Sequence, residues 1–149
     1  MAASDILASF AGCSGQRCMA ASVLLTIGPM DDLISLIVEK ASKVVAGQEA
    51  GQMGPVIDQA SLDKISRYIA ESQAAGAQVL LDGRAWTRQH TQGFWIGPTV
   101  ILHSQKTDKA LHDEIFGPVL SIYVCKSKEE AIEIENASPY GNAGTVFWN

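Results

Sequence analysis

Short apolar runs of strand type alternate with segments of helical period along this chain, and that alternation constrains the fold more than any single motif. Residues 22–27 (S-V-L-L-T-I) read as a buried strand stopped by Gly28-Pro29. Residues 31–46 follow with a helical stripe of Leu33, Ile37, Ala41 and Val44 or Val45. Asp31 and Asp32 put negative charge where the helix macrodipole favours it, Lys40 and Lys43 lie toward the other end, and Gly47 is the stop. A second helix is expected over 61–75, with Leu62, Ile65 and Ile69 inward and Gly76 as its terminating glycine. A short helix at 5–11 carries Ile6, Leu7 and Phe10, and residues 12–17 form a polar turn. A glycine-rich loop spans 47–59, and 84–93 reads as an exposed loop. Strand pieces are expected at 79–81, 94–101, 119–125 and 144–148, the second interrupted by Gly97-Pro98. A last helix starts at Ser127 with Glu130 at capping-box spacing and stops at Pro139. The layout is α/β.

The chain has 149 residues, 47% of them hydrophobic, enough for one domain with its own core and too apolar for disorder. Its net charge is −5 and no basic stripe breaks the acidic balance, which argues against nucleic acid or an anionic membrane as partner. Three cysteines are too few for a disulfide framework and suit a reducing compartment. The apolar run 20–27 is far too short to cross a bilayer, and the N-terminus, with Asp5 and no basic region, does not read as a signal peptide. The expectation is a soluble, cytoplasmic protein.

Three places could carry chemistry. Cys18, in G-Q-R-C, follows a glycine-rich polar turn and stands next to Arg17. A guanidinium and oriented backbone N–H groups both favour a thiolate, and the same N–H groups could hold an oxyanion formed when sulfur attacks a carbonyl. The alternative is that Cys18 is a small core residue. Cys13 and Cys18 form a C-x4-C pair that does not match usual zinc spacing, and His90, His103 and His112 are scattered, so neither a metal site nor a Cys–His hydrolase is expected. Glu114 and Phe116, before Gly117-Pro118, could offer a ligand one acceptor and one flat face; turn-plus-core is the plainer reading. No G-x-G-x-x-G dinucleotide fingerprint is present.

At G-Q-R-C-M-A the sequence resembles the aldehyde dehydrogenase superfamily. G-P-V-I-D (54–58), G-P-T-V (97–100), E-I-F-G-P-V (114–119) and N-A-S-P-Y-G-N (136–142) fall in that family's order. The G-Q-R-C-M-A form is most similar to the CoA-acylating methylmalonate- or malonate-semialdehyde branch. The resemblance implies a three-layer α/β catalytic domain, truncated at both ends, filling residues 1–149 without the Rossmann-like cofactor domain. It implies Cys18 as the nucleophile, Arg17 as a ligand for the substrate carboxylate, and Glu114 and Phe116 as contacts to the ribose and ring of NAD. CoA would be the cosubstrate that takes the acyl group. With the cofactor domain upstream, the chain alone is expected to bind NAD poorly and to turn over little. The other readings are a hydrolytic NAD(P)-dependent relative and a non-catalytic domain that acts by association, in either case with exposed strand edges favouring a homo-oligomer.

Overall fold

Four strands build one sheet in the order β1-β4-β3-β2 in the computed structural model, which describes residues 1–90 and 92–147. They are β1 (Val23–Ile27), β2 (Gln78–Leu81), β3 (Thr99–His103) and β4 (Val119–Cys125). β1, β4 and β3 run parallel, with Val23 opposite Ser121 and Thr99 opposite Val119, while β2 joins β3 antiparallel. β3 and β4 are buried on both faces, as inner strands of a parallel sheet must be when helices cover each side.

Side chains alternate between the two faces along each strand. Val100, Leu120 and Ile122 face α1 (Ala2–Ala11) and α2 (Asp31–Ser42), where Ile6, Phe10, Ile34 and Ile37 complete one core. Ile101 and Val119 face α3 (Gln59–Ala74), where Leu62, Ile65 and Ile69 complete the other. The short helix α4 (Ala85–Gln89) follows β2, and α5 (Lys128–Asn136) packs on β1 and β4. Helix, sheet and helix form three layers, as the resemblance implies, and the α/β pattern is met.

Local chemistry explains most element boundaries. Asp58 caps α3 by accepting from the Ser61 N–H at 2.7 Å, so the helix starts two residues before the expected position. It closes in a Schellman turn: Gly76, at φ +94°, donates to Gln73, and Ala77 N–H donates to Ser72 O. Ser127 Oγ accepts from Glu130 N–H, but the Glu130 carboxylate reaches back to the Lys126 N–H instead of the cap residue's own.

Three expectations need correcting. α2 ends at Ser42, not at residue 46, because Ala46 bridges to Met53 and draws the chain into a small ladder that buries Met53. The presumed loop 84–93 contains α4, whose Trp86 is partly buried against the first core. Residues 144–147 form no strand: they pair with no strand among the described residues and leave Val146 and Phe147 exposed, while Trp148 lies outside the described residues. Among the described residues no helix is long and apolar enough to cross a membrane.

Candidate active site

Three parallel strands start at the same end of the sheet, and each is preceded by one of the sequence motifs. The polar turn leads into β1, Gly97-Pro98 into β3, and the Glu114–Pro118 stretch into β4. Parallel register therefore brings together segments about 100 residues apart in the chain.

The polar turn is built tightly. α1 runs into a single 3-10 turn, Gly12–Gly15, in which Cys13 and Ser14 take left-handed backbone angles of φ 54° and 55°. Such angles are strained for residues with a Cβ and persist only where the surroundings fix them. Ser14 Oγ donates to Gly54 O at 2.5 Å, and the buried Ser14 has little freedom left. Gln16 Oε1 accepts from the Ile57 N–H at 2.9 Å, and its Nε2 donates to Cys13 O. Both latches fasten the turn to the 54–58 loop. Gly15, at φ +69°, sits against the Gly117 carbonyl so closely that a Cβ there would lie 2.8 Å from Pro118 N. Only glycine fits this approach.

Cys18 follows at the crest of a second turn closed by the Ala20 N–H on Arg17 O at 3.0 Å. Cys18 and Met19 are both exposed, so Cys18 is not a core cysteine. Asn142 Nδ2 donates a long 3.4 Å hydrogen bond to Cys18 O, which brings the 136–142 segment to the same place. Cys13 is exposed as well, whereas Cys125 is fully buried and burial pushes its thiol above the ordinary range. Arg17 turns away from the crest. Its Nη2 donates to Ala8 O at 2.9 Å and Ser9 O at 3.1 Å, carbonyls of the last turn of α1, and its guanidinium lies over Gly12.

Glu114 and Phe116 are exposed on either side of buried Ile115. Phe116 takes φ 57°, and Gly117 behind it leaves room for Ile65 of α3, whose Cδ1 would stand 2.5 Å from a Cβ. Among the described residues Glu114 makes no ion pair or side-chain hydrogen bond, leaving its carboxylate open to a ligand hydroxyl. Thr99 N–H donates to Pro118 O at 2.8 Å, which ties the 97–100 segment to the same turn. Two surface concavities lie elsewhere, one between α1 and α2 and one beside Trp86, and neither is lined by Cys18, Glu114 or Phe116. No three His, Cys, Asp or Glu side chains among the described residues gather as a metal site.

All five motifs thus form one chain of contacts around an exposed cysteine. The model of the Aldehyde dehydrogenase family matches residues 1–149. The chain belongs to the aldehyde dehydrogenase family. It is 38% identical over 151 residues to malonate-semialdehyde dehydrogenase 2 of Bacillus thuringiensis (strain Al Hakam), a match that covers 99% of this chain and 31% of that protein. It is 41% identical over 140 residues to a probable methylmalonate-semialdehyde/malonate-semialdehyde dehydrogenase [acylating] of Drosophila melanogaster, covering 91% of this chain and 27% of that one. Its fold superposes on the crystal structure of methylmalonate-semialdehyde dehydrogenase from Oceanimonas doudoroffii with TM-score 0.88 and 32% identity, over 95% of this chain and 30% of that one. A putative methylmalonate-semialdehyde dehydrogenase from Sinorhizobium meliloti 1021 complexed with NAD gives the same TM-score at 31% identity, over 95% of this chain and 30% of that one. The chain therefore spans about a third of the length of the aldehyde dehydrogenases it matches.

Residue types singled out Cys18, Arg17, Glu114 and Phe116, and the fold brings the cysteine and Glu114–Phe116 turns into contact through Gly15 and Gly117. Ser14 and Gln16 carried no such signal, because their function is to reach backbone atoms some 40 residues away.

Proposed function

We propose that this chain is the catalytic-domain portion of an NAD-dependent, CoA-acylating dehydrogenase for malonate or methylmalonate semialdehyde. The observation that carries the reading is Cys18 exposed at the crest of a turn to which the other family motifs are fastened. The thiolate of Cys18 adds to the aldehyde carbon to give a thiohemiacetal and later carries the acyl group as a thioester. CoA, as a second thiol, then takes that acyl group and frees Cys18. NAD, when bound, accepts the hydride lost between the thiohemiacetal and the thioester. Glu114, with its open carboxylate, holds the ribose hydroxyls, and Phe116 packs beside the nicotinamide ring; an exposed acceptor and an exposed flat face on one fixed turn fit that group. The resemblance assigns Arg17 to the carboxylate of the semialdehyde; its guanidinium rests on Ala8 O and Ser9 O, and the role requires it to leave them and turn toward Cys18. Three free thiols support a reducing, cytoplasmic setting, and the outer edge of β1, unpaired among the described residues, supports assembly with a second copy.

Turnover by the chain alone is expected to be low, so the test bypasses the hydride step: incubate the chain with malonyl-CoA, whose malonyl group passes to a protein thiol as CoA leaves, digest it, and map acyl groups by mass spectrometry. A hydroxylamine-labile malonyl group on Cys18, lost in Cys18→Ser, supports the reading. Acylation of Cys13 instead, or none on Cys18, refutes it for this chain.

A further inference from the structure

The connection from β3 to β4, residues 104–118, carries Glu114 and Phe116, yet its only regular structure is one 3-10 turn, Lys109–Leu111. A segment of that length held by so little would wander unless something outside it fixed it. α3 supplies the hold. Tyr68 and Ser72 stand four residues apart, on one helix face. The Tyr68 hydroxyl donates to Asp113 Oδ2 at 2.8 Å, and the Ser72 hydroxyl donates to Asp108 Oδ1 at 3.1 Å.

Asp108 is the centre of this arrangement. Its Oδ1 also accepts from the Ala110 N–H at 3.0 Å and so caps the 3-10 turn. Its Oδ2 lies 3.0 Å from Nδ1 of His103, the last residue of β3. That approach is off the N–H axis, so it is an electrostatic contact and not an aligned hydrogen bond. The His103 side chain is fully buried, the Asp108 side chain is 8% exposed, and Ser72 is buried. One carboxylate therefore joins the end of β3, the turn of the connection and the body of α3 in a nearly dry place, where an unpartnered polar group is costly. The nearby cation Lys106 is directed to Glu133 of α5 instead.

We propose that Asp108 is a positioning residue: with His103 and Ser72 it sets where the Glu114–Phe116 turn stands against the Cys18 turn. The consequence for cofactor binding rests on the roles given to Glu114 and Phe116 above; the positioning itself does not. Five residues after Asp108, the second hold at Asp113 leaves Glu114 as the next residue of the chain. From there the backbone passes Ile65 and Gly15 at Gly117.

The test is hydrogen exchange by mass spectrometry on the 149-residue chain. Asp108→Ala should speed exchange in 104–117 by about tenfold or more while α1 and α2 change by less than about twofold, because a local hold is lost and the opposite core is untouched. Asp108→Asn keeps an acceptor for Ser72 and Ala110 and should restore most of the protection, whereas Asp108→Leu, which fills the space without an acceptor, should not. Should Asp108→Ala fail to fold, Ser72→Ala and Tyr68→Phe remove one donor each and should each speed the same segment by about threefold. Unchanged exchange in 104–117, or an acceleration spread evenly over the chain, overturns the proposal. Local loosening in Asp108→Ala leaves the positioning role standing whatever becomes of the cofactor reading, because the exchange measurement contains no NAD.

Discussion

Substituting alanine at three glycines separates backbone strain from steric contact at the junction between the two site-bearing turns. Gly141 has open space around it and an ordinary backbone, so Gly141→Ala should change stability by no more than about 0.5 kcal/mol. Gly28 sits at φ +76° with nothing within 4 Å of a would-be Cβ, so Gly28→Ala meets only the left-handed penalty, about 1–2 kcal/mol. Gly15 combines φ +69° with a Cβ position 2.8 Å from Pro118 N and nearer still to the Gly117 carbonyl. Carbon atoms pack comfortably at about 3.5–4.0 Å, so one backbone must retreat by about 1 Å. Overpacking of this kind costs about 1–3 kcal/mol on top of the strain, which places Gly15→Ala at about 2–5 kcal/mol. Urea unfolding followed by far-ultraviolet circular dichroism reads the series. With a slope of about 2 kcal/mol per molar, Gly15→Ala should lower the midpoint by about 1–2.5 M and Gly28→Ala by about 0.5–1 M. A Gly15→Ala midpoint equal to that of Gly28→Ala would mean that the turns are not in contact, and the site as described would not exist.

Burial holds the His103 imidazole below its ordinary pKa, with Asp108 opposing that shift only in part. The unfolded chain then binds the proton more readily, so stability is full above about pH 6.5 and falls as pH drops below it, by up to about 1.4 kcal/mol per unit until the folded value is reached; urea midpoints from pH 8 to 5 should show this slope, and His103→Gln should remove it. Asp58→Ala loses the cap on Ser61 and should cost about 1 kcal/mol in the same assay, a loss that Asp58→Asn largely restores. Ile65→Ala empties a fully buried site beneath Gly117 and should cost about 2–5 kcal/mol, with faster hydrogen exchange at 115–119.

The sequence was most legible where local chemistry decides structure. Alternating apolar runs marked β1 and β4, and the 119–125 strand was expected at the bounds it has. Gly76 was recognisable as a helix stop because the Schellman turn needs a left-handed residue there. Pattern failed where a distant partner decides. Residues 43–46 have helical spacing, yet the bridge from Ala46 to Met53 wins over it. Residues 85–89 look like loop because their helix is one turn long and gains its hold from Trp86 against the first core. The 144–147 run alternates like a strand but has no ladder neighbour among the described residues. The site follows the same rule. Cys18, Glu114 and Phe116 can be picked out as chemically capable side chains, but their meeting depends on parallel register and on a glycine-to-carbonyl approach between positions 15 and 117.

Site-mapped alkylation of the three thiols tests the central claim most directly. With iodoacetamide in slight excess, Cys18 should label in the folded chain and Cys125 only after unfolding, since the first is exposed and the second fully buried. Malonate semialdehyde added beforehand should slow labelling at Cys18 and leave Cys13 unchanged. Labelling of Cys18 no faster than that of Cys125, or equal protection of Cys13 and Cys18 by the aldehyde, would contradict the account.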